Sequence, residues 1–342
     1  MANTVIRIGT RESPLAVWQA AQVQNLLAAQ NLQSELVYIK SEGDTDLITP
    51  LYALGVQGIF TKTLDAALLN NRIDIAVHSM KDVPVQMAEG IVQAAVLKRG
   101  SYRDIFVPHP NLYDRKAKVN KVYVSHLEES GKKKKTERIS FPLREHSDNP
   151  EALEDIVVAT SSVRRIAQWL NRFPDHKIEN LRGNVNTRLR KLGESNWHGA
   201  IFAAAGLERI GLRPKNAIEL NWMLPAPAQG AITVVCRKDD KKALEYCRHF
   251  NDETTALCVK IERDFLKTLM GGCSTPIGAL AAAGTKYVHF NGNILSPDGK
   301  EKLDIAVNFP LSNAGDVGKI AGEDILSRGG DKIIEQIRNA GK

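Results

Sequence analysis

Ile156-Val157-Val158-Ala159-Thr160-Ser161-Ser162-Val163-Arg164-Arg165 is the stretch on which the fold turns, because it repeats the order of Val5-Ile6-Arg7-Ile8-Gly9-Thr10-Arg11-Glu12-Ser13-Pro14. In each, a short apolar run ends at a threonine, a serine follows in the turn, and a helical pattern begins. Ser13 fits the N-cap, and Pro14 fits the first helical position, where its missing N–H would have had no partner. Ala16, Ala20, Val23 and Leu27 then recur at helical spacing. Glu35 to Lys40 reads as a strand, Phe60, Leu64, Ala67 and Leu68 mark a helix, and Asp74 to Ser79 a strand. In the second copy a helix runs through Trp169 and a strand lies near Ile178. Gly183 then turns the chain into another helix, and Ala200 to Ala204 is an apolar strand. Both halves thus run strand, Thr and Ser at the turn, helix with a tryptophan, strand, glycine turn, helix, strand. That alternation predicts the α/β fold class, with two α/β domains of parallel or mixed sheets facing across a cleft.

The last ninety or so residues differ. Leu257, Ile261, Phe265 and Leu269 recur every four positions, and Gly271-Gly272 is expected to end that helix. Strands flank the turn Ser296-Pro297-Asp298-Gly299, and a final helix begins near Val317, which makes a small C-terminal α+β domain. Residues 110 to 150 break the pattern. They read as an insertion of about 112–150, and Lys132 to Lys135 within it reads as a solvated loop.

The 342 residues, 43% hydrophobic and 25% charged, are those of a globular chain with room for two or three domains. No apolar stretch is long enough for a membrane span, and Met1 to Gly9 carries no export signal; a cytoplasmic protein is expected. The formal charge is +7, but between Arg115 and Arg138 nine Lys or Arg face three Glu. Almost all of the excess is therefore local, which argues against a nucleic-acid partner. Cys236, Cys247, Cys258 and Cys273 form no C-x-x-C pair, so no metal site is expected and free thiols are the default.

Three segments carry candidate chemistry. The turns around Arg11 and around Arg164-Arg165 open helices, whose N-termini attract anions. Arg182, Arg188 and Arg209 follow strands nearby, and arginine forks match carboxylates. Any one of these arginines alone reads as a surface residue or an ion-pair partner; clustered at strand ends they predict a polyanionic ligand. His78-Ser79-Met80-Lys81-Asp82-Val83-Pro84 delivers Lys81 and Asp82 to the same edge. They are either a turn ion pair or a carboxylate that stabilises a developing cation, and spacing does not choose. In Gly271-Gly272-Cys273-Ser274-Thr275-Pro276 the glycines put Cys273 on a tight loop, open to covalent chemistry or merely exposed.

Together these segments resemble the hydroxymethylbilane synthase (porphobilinogen deaminase) family over roughly residues 4 to 290. In order stand Ile8-Gly9-Thr10-Arg11-Glu12-Ser13-Pro14-Leu15-Ala16, Asp74 to Pro84, Thr160 to Arg165 and Leu181 to Arg188. Ala205-Gly206-Leu207-Glu208-Arg209, Pro227-Ala228-Gln229-Gly230 and Gly271 to Gly278 follow. The resemblance implies a transferase. It would deaminate four porphobilinogen molecules and condense them head to tail on a dipyrromethane cofactor, then release the linear tetrapyrrole hydroxymethylbilane. The cofactor would be attached through a thioether to Cys273, and Asp82 would be the catalytic aspartate that hydrogen-bonds the pyrrole N–H and stabilises the cationic azafulvenium formed from the substrate. Ser13, Ser79, Lys81, Thr160, Ser162, Arg164, Arg165, Gly183 and Arg188 map to cofactor binding, and Arg11, Arg182, Arg209 and Gln229 to substrate binding. The family's fold implies two periplasmic-binding-protein-like domains, 1–102 with 231–250 and 103–228, and a third, 253–342, holding the cysteine. A monomer with a small-molecule substrate, and with no membrane or nucleic-acid partner, is expected. Two departures stand out: Gln57 occupies a position where the family usually has lysine, and the insertion near 110–150 has no counterpart.

Two other classes fit parts of the pattern. A non-enzymatic binding module shares the cleft but has no need of an exposed thiol on a third domain. A cysteine hydrolase would need a histidine base near Cys273, and the motif segments beside it supply none.

Overall fold

A computed structural model describes residues 5–40, 61–112, 119–125, 136–142, 156–270 and 275–340. Gln57, Lys132 to Lys135 and the whole Gly271-Gly272-Cys273-Ser274 segment lie outside the described residues.

Along the chain, β1 (Ile6–Thr10), α1 (Pro14–Ala28), β2 (Ser34–Tyr38), α2 (Lys62–Leu69), β3 (Ile75–Ser79) and β4 (Ile91–Val96) come first. Then follow β5 (Asp104–Pro108), β6 (Val119–Ser125), β7 (Thr136–Pro142), β8 (Val157–Ala159), α3 (Val163–Arg172), β9 (Lys177–Glu179), α4 (Val185–Glu194), β10 (Gly199–Ala203), α5 (Ala204–Glu208) and β11 (Ile218–Glu219). The chain returns through β12 (Ile232–Arg237) and α6 (Lys241–Arg248). It ends in α7 (Glu253–Thr268), β13 (Ile277–Ala283), β14 (Tyr287–Leu295), β15 (Lys302–Pro310), α8 (Val317–Ile325) and α9 (Asp331–Ala340).

These form two mixed α/β sheets, ordered β2-β1-β3-β12-β4 and β11-β5-β10-β8-β9, and a three-stranded antiparallel sheet β13-β14-β15. In the first, β1 runs parallel to β2 and β3, whereas β12 inserts antiparallel between β3 and β4. In the second, β8 runs parallel to β9 and β10, and β5 lies antiparallel to β10. Register then decides what meets at each edge. Ile232 pairs with Ser79 and Asp104 pairs with Ala203, so Ser79 and residues 230–232 share one edge of the first sheet, and Asp104 shares its edge with the ends of β8 and β10.

Each sheet buries an apolar face. Ala20, Val23 and Leu27 of α1 close on Ile8, Ile75, Val77 and Val234; Trp169 of α3 is fully buried against Phe106, Val158 and Ile201. A large side chain removed from water in this way is worth about 1.5–3 kcal/mol. In the third domain Ile261 and Phe265 of α7 pack on Ile277, Phe290, Val317 and Ile325. Cys236, Cys247 and Cys258 are buried, as their apolar patterns imply.

Two expectations need correction, and one element was not foreseen. Helix α7 ends at Thr268, and the residue that takes the left-handed conformation after it is Met270 (φ 51°), before the glycines are reached. The chain has two helices after β15, not one, because the Leu326–Gly330 turn with Gly329 at φ 96° breaks the run. The insertion contains a hairpin, β6 with β7, from Val119↔Pro142 to Ser125↔Thr136.

Candidate active site

Strand β3 ends at Ser79, and the next three residues form a single 3-10 turn, Met80–Asp82. Met80 faces the core, while Lys81 and Asp82 stay half-buried. Ser79 is held from α1 by Gln19, whose Nε2 donates to Ser79 Oγ at 2.8 Å. His78, one residue earlier, is buried and lines an internal pocket with Thr61, Asp65 and Val83. Burial, with the charge of Arg11 adding to it, pushes His78 down to about 4. It is a neutral packing residue at physiological pH.

Opposite, Thr160 and Ser162 open α3. Ser162 is the N-cap residue, and its N–H donates to Thr160 Oγ1 at 3.3 Å. Arg164 and Arg165 turn inward from this first turn and meet Asp104, which is fully buried at the head of β5. Arg164 Nη2 lies 2.7 Å from Asp104 Oδ2; Arg165 donates to Asp104 Oδ1 through Nη2 at 2.7 Å and Nε at 3.1 Å. Burial alone would raise the Asp104 carboxyl, but the two guanidiniums, a Gln229 hydrogen bond and Lys81 outweigh it and hold it at about 2. Gln229 joins the lobes: its Nε2 donates to Asp104 Oδ1 at 2.9 Å, and its Oε1 accepts from Lys81 Nζ at 3.3 Å.

The third wall is the Leu181 to Arg188 turn. Asn184 caps α4 by accepting from Thr187 N–H at 2.9 Å. Gly183 takes φ 111°, and a Cβ there would come within 2.6 Å of Thr187. Arg188 folds back so that its Nε donates to Gly183 O at 2.7 Å. Burial, with Arg165 and Arg182 adding to it and Asp82 acting against it, lowers Arg188 to about 10. Asp82 from the first lobe and Arg188 from the second are therefore electrostatic neighbours. Arg182 is buried beside them.

The remaining sites lie at the rim or away from it. Ser13 caps α1, accepting from Ala16 N–H at 3.4 Å, and Arg11 sits in the preceding turn. Arg209 ends helix α5 rather than a strand; its Nη2 donates to Gly230 O at 2.6 Å, and its guanidinium lies 5.7 Å from the Trp18 ring. Gly230 (φ 86°) must be glycine, since a Cβ would meet Ser101 O at 2.6 Å. Cys273 is outside the described residues.

Asp104 is the residue that sequence reasoning missed. Its signal is a lone acid at the head of the apolar run Ile105-Phe106-Val107, where an uncompensated charge would be costly. Among the described residues, Lys81, Arg164, Arg165, Arg182 and Arg188 gather here against only Asp82 and Asp104. Burial lowers Lys81 to about 8 as well as Arg188. A desolvated site with surplus positive charge is built for a ligand carrying several carboxylates. Pyrrole rings that each bear an acetate and a propionate fit that donor set.

Strand order and cationic cleft define the class: a two-lobed α/β enzyme with an added small domain. The family model described as porphobilinogen deaminase, dipyromethane cofactor binding domain, matches residues 6–245, and that described as porphobilinogen deaminase, C-terminal domain, matches residues 256–327. Two porphobilinogen deaminases from strains of Acidithiobacillus ferrooxidans are each 36% identical over 340 residues, covering 98% of this chain and 99% of theirs. The chain belongs to the porphobilinogen deaminase family, transferases with hydroxymethylbilane synthase activity. Among solved structures, the methionine-binding protein MetQ is 12% identical with a TM-score of 0.39, covering 73% of this chain and 91% of its own.

Proposed function

We propose that this chain makes hydroxymethylbilane from four porphobilinogen molecules, with Asp82 as the catalytic carboxylate and a dipyrromethane held in thioether linkage by Cys273. Bound there, the dipyrromethane would supply the free pyrrole α-carbon for the first addition, each later ring joining the end of the growing chain. The chain's own residues do the rest. The Asp82 carboxylate accepts the pyrrole N–H of the substrate and stabilises the positive charge that develops as ammonia leaves. Arg11, Arg182 and Arg209 take the substrate's carboxylates, with Gln229 bridging the lobes. Lys81, Arg164, Arg165 and Arg188, with Ser13, Ser79, Thr160, Ser162 and the Gly183 turn, hold the carboxylates of the chain already built.

The observation that carries this reading is the bridge from Lys81 Nζ through Gln229 to Asp104, at 3.3 and 2.9 Å, which brings the turn of Asp82 to the buried arginines of the second lobe. Among those cations the Asp82 carboxylate is placed to face a cationic pyrrole. Asp82→Ala is expected to keep the circular-dichroism spectrum and melting temperature while porphobilinogen consumption falls by at least about 100-fold. Near-normal turnover in that variant would remove Asp82 from the chemistry.

The sheets support a division into 1–102 with 231–250, 103–228 and 253–342. Monomeric, cytoplasmic action completes the proposal. It accords with the observation that no described helix is long and apolar enough to cross a membrane.

A further inference from the structure

The turn that carries Lys81 and Asp82 is weak by itself. A single turn of 3-10 helix has poor hydrogen-bond geometry, and its backbone bonds are few: Met80 N–H to Ala231 O at 3.0 Å and Val83 N–H to Met80 O at 3.1 Å. Pro84, next in line, has no N–H to add. The carbonyls of this segment are collected instead by one side chain from the third domain. Arg263 of α7 donates through Nη1 to Val83 O at 2.9 Å and Met80 O at 3.4 Å. Through Nη2 it donates to Pro84 O at 2.6 Å and Val85 O at 3.4 Å. The four carbonyls bracket Asp82.

Arg263 can act as a strut because its own backbone is pinned. The preceding residue, Glu262, is fully buried and accepts from Arg99 at 2.6 and 3.0 Å, from Ala228 N–H at 2.6 Å and from Ala281 N–H at 2.8 Å. Those bonds tie α7 to the first domain, to the segment that carries Gln229 and to β13. The guanidinium of the next residue therefore points from a fixed base. Helix α7 is also the helix that leads, within a few residues of its end, to Cys273.

We propose that Arg263 is a positioning residue for the deaminase reaction. It holds the Met80–Val85 segment so that the Asp82 carboxylate stays aimed into the cleft, and it ties that segment to the helix that precedes Cys273 in the chain. The proposal rests on the reading of Asp82 given above. The four bonds from Arg263 to Met80, Val83, Pro84 and Val85 all end on backbone carbonyls, so releasing them should act on the chemical step more than on ground-state binding of porphobilinogen. A misplacement of the order of an ångström costs up to about 100-fold in rate.

The test uses the purified holoenzyme, with cofactor content checked by intact mass, and compares Arg263→Ala, Arg263→Lys and Asp82→Ala. Arg263→Ala is expected to lower kcat for porphobilinogen by roughly 10- to 100-fold with KM within about 2-fold and cofactor retained. Because Arg263 is only half-buried, ethylguanidinium added to the assay should enter the vacated place. It should restore part of kcat in Arg263→Ala and none in Asp82→Ala. If Arg263→Ala does not fold, Arg263→Lys decides: its single ammonium cannot fork to Val83 O and Pro84 O together, so kcat should still drop at unchanged KM. Asp82→Ala inactive with kcat intact in the folded Arg263 variants would overturn this inference alone. So would a kcat loss that ethylguanidinium does not relieve, or one that tracks loss of cofactor. Near-normal turnover in Asp82→Ala would overturn the function and this inference with it.

Discussion

Burial pushes the Lys81 ammonium down to about 8; Asp82 and Asp104 pull it back up, and Arg165 and Arg164 push against them. Below that pH the side chain is charged and adds to the pull on carboxylates, and above it the charge is lost. The kcat/KM for porphobilinogen should therefore decline as pH rises through about 8. Lys81→Arg should move that decline to higher pH, since a guanidinium stays protonated there. An unchanged alkaline limb in Lys81→Arg would detach it from Lys81. At this scale the sequence showed which cations gather at strand ends, because arginine after a strand is a local pattern. It hid which of them are already committed. Arg164 and Arg165 each turn part of their guanidinium to Asp104, about sixty positions away, a partnership that exists only once β5 lies beside β10.

Helix α3 and strand β5 are fastened to each other by that carboxylate, and Gln229 adds the segment before β12. Removing one member of a buried charge set leaves the others uncompensated, at a cost of about 3–5 kcal/mol. Asp104→Ala should lower the unfolding free energy, read from denaturant melts, by an amount in that range, and a loss well under about 1 kcal/mol would show that the arginines find other partners. The sign with pH follows from the depressed carboxyl: the contribution is present above the ordinary aspartate range and is lost as pH falls toward about 2. Most elements were legible from periodicity and capping residues; Ser13 and Pro14 open α1 as expected. Helix ends were less so. Met270 rather than glycine takes the left-handed position after α7, and the Gly329 break before α9 is a tertiary choice that a helical pattern does not announce. The hairpin of β6 and β7 was hidden by its polar, lysine-rich composition.

At the scale of the molecule, the duplicated strand–turn–helix order was enough to foresee two α/β lobes, and the resemblance supplied the return of β12 to the first sheet. What no local pattern reveals is the register that brings Ser79 beside Ile232 and Asp104 beside Ala203, and so brings both lobes' charges to one place. The account as a whole stands on a pyrrole primer covalently held by Cys273 within that cationic cleft. Intact mass spectrometry of the native protein tests it most directly. The native protein should be heavier than its sequence by one dipyrromethane, and Cys273→Ser should lack both the increment and turnover. A native mass equal to that of the bare chain, or a Cys273→Ser protein with unchanged mass and activity, would contradict it.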